Sequence, residues 1–296
     1  PHVVDEIKET IYAATEDNDF LIIELGGTVG DIEGLPFMEA IRSIRHELPK
    51  TNTMNIHLSL VPYIKAAGEL KTKPTQHSVQ ELRRIGITPH MLVCRTEREL
   101  PKALKDKLAL ACDIDRNAVI EAGDAQSIYQ VPLQFIKEGI LTPLSEHFNI
   151  KIKPNMEKWD TLVKNILLPQ GEVTIAFVGK YLDLKESYKS LIEALIHAGA
   201  HLSTKVNIHW CDSERIEDVG AYDIIGNSDA ILVAGGFGQR GVNGKLAAIK
   251  YARENKIPYL GICLGMQLAI IEFAKNVLGL EDANSIEFDP NTKNPL

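Results

Sequence analysis

Two series of short β-branched runs, each interrupted by segments of helical period, constrain this chain most tightly. The first series occupies residues 20–24, 54–61, 90–94 and 118–121; the second occupies 173–178, 206–210, 230–234 and 258–262. Between them lie stretches of helical period such as 79–85, 103–111, 189–197 and 246–254. Strand and helix alternating in this way predict parallel sheets covered by helices on both faces. The expected fold class is α/β, with two doubly wound parallel-sheet domains. The rhythm breaks at residues 150–171, which hold Pro154, an amphipathic helix around 159–167 and the run Leu168-Pro169-Gln170-Gly171. That break predicts a first domain over 1–153, a linker over 154–171 and a second domain over 172–296.

With 45% apolar and 24% charged residues in 296, the chain has a folded composition and can bury a core without disulfides. Its net charge of −8 excludes a basic nucleic-acid platform, so an anionic ligand must be met by a local cluster. The cysteines Cys94, Cys112, Cys211 and Cys263 form no Cys-x-x-Cys, which argues against zinc and disulfide frameworks. No apolar run approaches the roughly 18–20 residues that cross a bilayer, and Pro1-His2-Val3-Val4-Asp5-Glu6 does not read as a signal peptide. A cytoplasmic location without a membrane partner is expected. The chain starts without methionine, which fits a piece of a longer polypeptide.

The sharpest chemical signal is Pro258-Tyr259-Leu260-Gly261-Ile262-Cys263-Leu264-Gly265-Met266-Gln267. A strand enters a tight turn carrying a cysteine, and a helix starts at once. Glycines two before and two after the cysteine suit such an elbow, where side chains would collide with the neighbouring strand or helix. The helix N-terminus favours thiolate over thiol. A lone cysteine is usually core, and the other three are read that way; the framing glycines make Cys263 a nucleophile. Upstream, Ala234-Gly235-Gly236-Phe237-Gly238-Gln239-Arg240-Gly241 follows a strand and can turn backbone N–H groups toward an oxyanion. By itself such a loop could equally make a turn or bind phosphate.

On these residues, 172–296 resemble the first part of a class I glutamine amidotransferase domain. The resemblance implies that Cys263 attacks the glutamine amide and releases ammonia. It implies an oxyanion hole at Gly235, Gly236 and the Leu264 amide, with Leu264-Gly265-Met266-Gln267 and Glu287 at the glutamine. The family's base histidine comes in a later His-x-Glu element, which does not occur before Leu296.

In the first half, Glu24-Leu25-Gly26-Gly27-Thr28-Val29-Gly30-Asp31-Ile32-Glu33 places three carboxylates on a loop after a predicted strand. Such a loop suits Mg²⁺ held with nucleotide phosphates; a solvated Asp/Gly turn explains the spacing equally well. Lys71-Thr72-Lys73-Pro74-Thr75-Gln76-His77-Ser78 is denser, with two lysines, hydroxyls and an amide and no acid among them. It suits a triphosphate, against the commoner fate of a solvated basic loop. Lys107 reads equally as a surface helix position, and His77 as structural.

These segments, with Leu58-Ser59-Leu60-Val61-Pro62-Tyr63, resemble the CTP synthase family over nearly the whole chain. The resemblance implies ATP-dependent amination of UTP through a 4-phosphorylated intermediate. Glu24 would then be a Mg²⁺ ligand, and Asp31, Ile32 and Glu33 would contact CTP as feedback inhibitor. Lys71, Thr72, Lys73, Pro74, Thr75, Gln76 and Lys107 would contact UTP or CTP, and Gly123, Asp124 and Ala125 would contact ATP. A homotetramer and activation by GTP are also implied; no residue identifies the GTP site, and residues 180–189 lie in its neighbourhood. The family's P-loop and a second Mg²⁺-binding aspartate precede the matched region; no Gly-x-x-x-x-Gly-Lys-[Ser/Thr] occurs here. A synthetase that amidates cobyrinic acid shares the elbow but not the Lys71–Ser78 cluster. A binding and oligomerisation module without turnover is the reading from a different class.

Overall fold

The central strand of the first sheet shows why its sequence is apolar on both sides. Met91–Thr96 is buried at every position but Arg95, as a parallel strand covered on both faces must be. The computed structural model that contains it describes residues 2–180 and 186–296 and divides into two units, one ending at Glu157, the other running from Lys158 to Leu296. The first unit begins with helices α1 (His2–Ala13) and α2 (Leu35–Glu47). Strand β1 (Ile56–Leu60), the small hairpin β2 (Tyr63–Ile64) and β3 (Glu69–Leu70), and helix α3 (Lys73–Arg84) follow. Then come β4 (Met91–Thr96), α4 (Lys102–Cys112), β5 (Val119–Gly123), α5 (Val131–Lys137) and α6 (Leu141–Phe148). The sheet order is β1-β4-β5, parallel throughout, with Leu58 opposite Val93 and Val93 opposite Ile120. Leu92 and Cys94 pack with Val79, Leu108 and Cys112 on one face. Met91 and Val93 pack with Ile120, Phe135 and Leu144 on the other.

Two expectations fail in this unit. The run 20–24 is not a strand: Phe20 is 61% and Ile22 93% exposed, and the run pairs with no described strand. Side-chain shape gives a segment β propensity, but only a hydrogen-bonded neighbour makes it a strand. Helix α3 begins at Lys73, so Lys73–Ser78 form its first turns and not a loop. Pro74 sits where a missing N–H costs nothing, and the buried face includes the polar Thr75 and Gln76, which hides the helical period.

The second unit takes up all but the first residue of α7 (Glu157–Leu167), then β6 (Gly171–Gly179), α8 (Lys189–His201) and β7 (Thr204–Asp212). It continues through α9 (Ser213–Val219), α10 (Ala221–Ile225), β8 (Ala230–Val233) and α11 (Val242–Glu254). Last come β9 (Tyr259–Gly261), α12 (Leu264–Asn276) and the short parallel pair β10 (Ala283–Asn284) and β11 (Asn294–Pro295). The main sheet is parallel in the order β7-β6-β8-β9. Val178, Ile231 and Val233 meet Ile216, Ala248 and Leu268 from the helices on one face. Phe177 and Leu232 meet Leu191 and Leu195 of α8 on the other. The chain runs outward from β6 to β7 and returns to β8, so the strand order reverses between β6 and β8. Open α/β sheets bind ligands at the carboxyl ends beside such a reversal. No described helix is long and apolar enough to cross a membrane.

Candidate active site

Cys263 joins β9 to α12 with φ +53° and ψ −111°. A non-glycine residue holds that backbone only under constraint, at a cost of about 1–3 kcal/mol. The flanking glycines supply the constraint. A Cβ on Gly261 would stand 2.6 Å from the Gly265 carbonyl carbon, and one on Gly265 would stand 2.1 Å from the Val233 carbonyl oxygen. Real side chains cannot occupy either place, so β9, α12 and β8 come this close only through glycine. Gly265 N–H donates to the Ile262 carbonyl at 2.9 Å, and the Met266 and Gln267 N–H groups donate to the Cys263 carbonyl at 3.0 and 3.1 Å. The Tyr259 hydroxyl donates to the Gly265 carbonyl at 2.7 Å and ties the helix start back to its own strand. Burial raises that phenol above its usual range.

Of the four cysteines, Cys263 is exposed and Cys94, Cys112 and Cys211 are buried. Burial pushes the thiols of Cys94 and Cys211 up to about 12, and raises that of Cys112. The core cysteines are thus both shielded and held as thiols.

The glycine loop after β8 lies against the elbow. A side chain at Gly235 would start 3.3 Å from the Cys263 Cβ and 4.0 Å from its Sγ. Among the described residues, the N–H groups of Gly235, Gly236 and Leu264 donate no backbone hydrogen bond. The Gln239 amide donates to the Phe288 carbonyl at 3.0 Å, which brings the loop to the segment carrying Glu287. Glu287 is exposed, as are Met266 and Gln267, while Leu264 and Gly265 are buried. The structure therefore gathers the cysteine, candidate oxyanion donors and the exposed Gln267 at one end of the second sheet.

Two residues at this site escape sequence reasoning. Lys180, just after β6, donates to the carbonyls of Phe237 and Gly238. Lys245, on α11, is wholly buried and donates to the Ala234 carbonyl at 2.7 Å and the Gly235 carbonyl at 3.3 Å. A signal exists: Lys245, Ala248, Ile249 and Ala252 are all buried and recur at the spacing of one helix stripe. The helical segment taken as 246–254 starts one residue too late to include it. Of the expected GTP neighbourhood 180–189, residues 181–185 lie outside the described residues.

The nucleotide-contact residues in the first unit are less uniform. Lys71 forms an ion pair with Glu69, two residues before the cluster. The hydrogen bond from Lys71, helped by the charge of Lys107, holds the Glu69 carboxyl below its usual range. This brings Lys71 and the exposed Lys107 to one place, with a competing acid between them. Lys73 and Pro74 are exposed. Thr72, Thr75 and Gln76 are buried, and their polar groups are engaged internally: Thr75 donates to the Leu60 carbonyl at 3.1 Å, and Gln76 to the Thr72 hydroxyl at 3.1 Å. Asp124, after β5, pairs with Arg95. It lines a cavity of about 300 Å³ with Gly123, Glu121, Gln134 and Glu138.

Glu24, Asp31, Ile32 and Glu33 are exposed. The Asp31 carboxylate accepts the Thr28 N–H at 3.1 Å, and the Glu24 carboxylate reaches 3.5 Å from the Cβ position of Gly26. Among the described residues no three acidic, histidine or cysteine side chains cluster as a metal cage. The donor set at this turn fits Mg²⁺ held by one or two carboxylates and otherwise by water and phosphate.

Comparison with known proteins finds one family model within each unit. Residues 1–150 match the family model for the CTP synthase N-terminus, and residues 183–293 match glutamine amidotransferase class-I. The CTP synthase of Nautilia profundicola is 66% identical over the whole chain, which covers 55% of that protein. That of Wolinella succinogenes is 66% identical, again over the whole chain, with 54% of that protein covered. A solved glutaminase domain of Trypanosoma brucei CTPS with bound acivicin shares 45% identity at a TM-score of 0.39, covering 41% of this chain and 47% of that one. The chain spans about half the length of the curated relatives it matches. With its first 150 residues on the synthase model and its second unit built around a glycine-framed cysteine, the chain belongs to the CTP synthase family.

Proposed function

We propose that this chain contributes to the glutamine-dependent conversion of UTP to CTP, with Cys263 as the nucleophile that liberates ammonia. The observation that carries the reading is the elbow: an exposed cysteine held at φ +53° between two glycines that admit no side chain, against a loop whose Gly235 and Gly236 N–H groups donate no backbone hydrogen bond among the described residues. The Cys263 sulfur attacks the side-chain carbonyl carbon of glutamine. The carbonyl oxygen takes the electron pair and is met by the N–H groups of Gly235, Gly236 and Leu264, so charge develops where donors already stand. The C–N bond breaks, ammonia leaves with an added proton, and water resolves the thioester to glutamate. Gln267 and Glu287, both exposed, are assigned to the substrate's polar end. The base histidine is expected from the family's His-x-Glu element.

In the first unit, Lys71, Lys73 and Lys107 supply positive charge for a pyrimidine triphosphate. Asp31, Ile32 and Glu33 are assigned to CTP as inhibitor, and Gly123, Asp124 and Ala125 are assigned to ATP. Mg²⁺, held by Glu24 and otherwise by water and phosphate, would screen the phosphates. ATP phosphorylates the uracil 4-oxygen, making it a leaving group that ammonia displaces. Activation by GTP, a homotetramer and a cytoplasmic location complete the proposal. The test is chemical: a polypeptide of the relatives' full length carrying these residues, given Mg²⁺, ATP, UTP and glutamine, forms CTP. Ammonium in place of glutamine restores CTP formation in a Cys263→Ala variant. A Cys263→Ala variant that still uses glutamine contradicts the assignment.

A further inference from the structure

Lys245 is the most deeply buried charged side chain among the described residues, at 0% exposure. Taking an ammonium out of water costs several kcal/mol, and a methionine would fill much the same volume without that cost. Packing does not account for a charge here; its contacts do. The C=O of one residue and the N–H of the next point to opposite sides of a trans peptide. With the Ala234 and Gly235 carbonyls turned to Lys245 Nζ, the N–H groups of Gly235 and Gly236 are turned away from it. Lys180 holds two more carbonyls of the same loop, those of Phe237 and Gly238. Every carbonyl from 234 to 238 except that of Gly236 is thus on a buried ammonium. On the nucleophile's side, the Cβ position of Gly235 is 3.3 Å from the Cys263 Cβ.

The charged groups that act on Lys245 are Lys180 and Cys263. Burial depresses the Lys245 ammonium most, Lys180 depresses it further, and Cys263 opposes both, leaving it at about 8. The Cβ position of Gly236 stands 3.6 Å from Lys245 Nζ and that of Gly235 stands 4.0 Å from Cys263 Sγ, so the two adjacent glycines lie between the ammonium and the sulfur.

We propose that Lys245 is a positioning residue for the cysteine site, fixing the 234–236 peptides with their N–H groups outward and setting a buried positive charge behind the Cys263 thiolate. This rests on Cys263 being the nucleophile, and a reagent that needs no glutamine recognition keeps the two ideas separable. The experiment follows iodoacetamide alkylation of Cys263 against pH by peptide mass in the 296-residue chain. Lys245→Met is compared with Lys250→Met, which removes an exposed lysine from the same helix. Lys245→Met is expected to move the half-maximal pH of alkylation upward by about one unit and to slow alkylation at pH 7 about tenfold, as loss of a buried neighbouring cation should. Lys250→Met leaves the profile in place. Lys245→Gln, neutral but still a donor, shifts it in the same direction as Lys245→Met. An unmoved profile in folded Lys245→Met and Lys245→Gln overturns the proposal. Failure of both variants to fold also overturns it, by making Lys245 structural. A glutamine-like affinity label that ignores Cys263 while the iodoacetamide shift persists rejects the glutaminase reading alone.

Discussion

The elbow in the second unit and the lysine cluster in the first are both short, chemically dense segments, yet they are built on opposite principles. At the elbow the backbone itself is the device. Gly261 and Gly265 are in contacts that no side chain survives, and Cys263 holds a left-handed φ because its neighbours leave it no other. In the cluster the backbone is an ordinary helix start. Its side chains are divided between internal work (Thr72, Thr75, Gln76) and charge facing outward (Lys73, with Lys71 shared with Glu69). A motif enforced by close packing tolerates almost no change, whereas one made of surface charge degrades by degrees.

The comparison breaks first at its glycines. Gly265→Ala drives a Cβ toward the Val233 carbonyl, where a real contact is impossible, and should destabilise the second unit by at least about 3 kcal/mol in denaturant unfolding. Gly34→Ala, at φ −79° with nothing within 4 Å of its Cβ position, should be neutral or stabilising by less than about 1 kcal/mol. Similar losses at both positions would erase the distinction.

Thiol reactivity comes next. Cys263 should alkylate at least about a hundredfold faster than Cys94, Cys112 or Cys211, since burial shields those three and keeps them protonated. Site-resolved mass spectrometry reads this directly, and equal rates would remove the elbow's special status.

The buried lysine gives a pH signature. Its folded value lies near 8, below the ordinary 10.5, so between those values the unfolded chain binds more protons and stability from this group rises with pH. The penalty is fully present below pH 8. Lys245→Met removes this penalty together with two hydrogen bonds to the loop, so its stability relative to the parent should be about 2 kcal/mol more favourable at pH 7 than at pH 10. The difference between the two unfolding curves isolates Lys245 and its coupling to Cys263 from the other cysteines and the tyrosines. A gain that does not vary with pH would mean the lysine's charge state is the same folded and unfolded.

The smallest effects belong to the cluster. On the proposed function, Lys73→Ala in a polypeptide of the relatives' full length should weaken UTP binding about tenfold, the scale of one charge-assisted hydrogen bond. Lys71→Ala should cost less, because Glu69 already shares its charge. Isothermal titration with UTP and Mg²⁺ distinguishes them, and the reverse order would show that nucleotide displaces Glu69 from Lys71.

How far each region could be read from sequence follows the same divide. The strand-helix alternation and the Gly261–Cys263–Gly265 frame were legible because each shows as a spacing within a short stretch of sequence, although the Val233 carbonyl that excludes a side chain at Gly265 belongs to another strand. The run 20–24 was not, because a strand exists only through a partner, and pairing is non-local. The α3 boundary was hidden by polar residues that the fold buries and satisfies with Ser59 and Leu60, about fifteen residues away. Lys245 was hidden for a related reason. A lysine beside Leu246 reads as solvated until the loop carbonyls that need it are seen.

The most direct test is labelling with a glutamine-like chloroketone, located by peptide mass with and without excess glutamine. Modification of Cys263 alone, suppressed by glutamine, is the predicted result. Modification spread over the four cysteines, or indifferent to glutamine, would contradict the role assigned to the elbow.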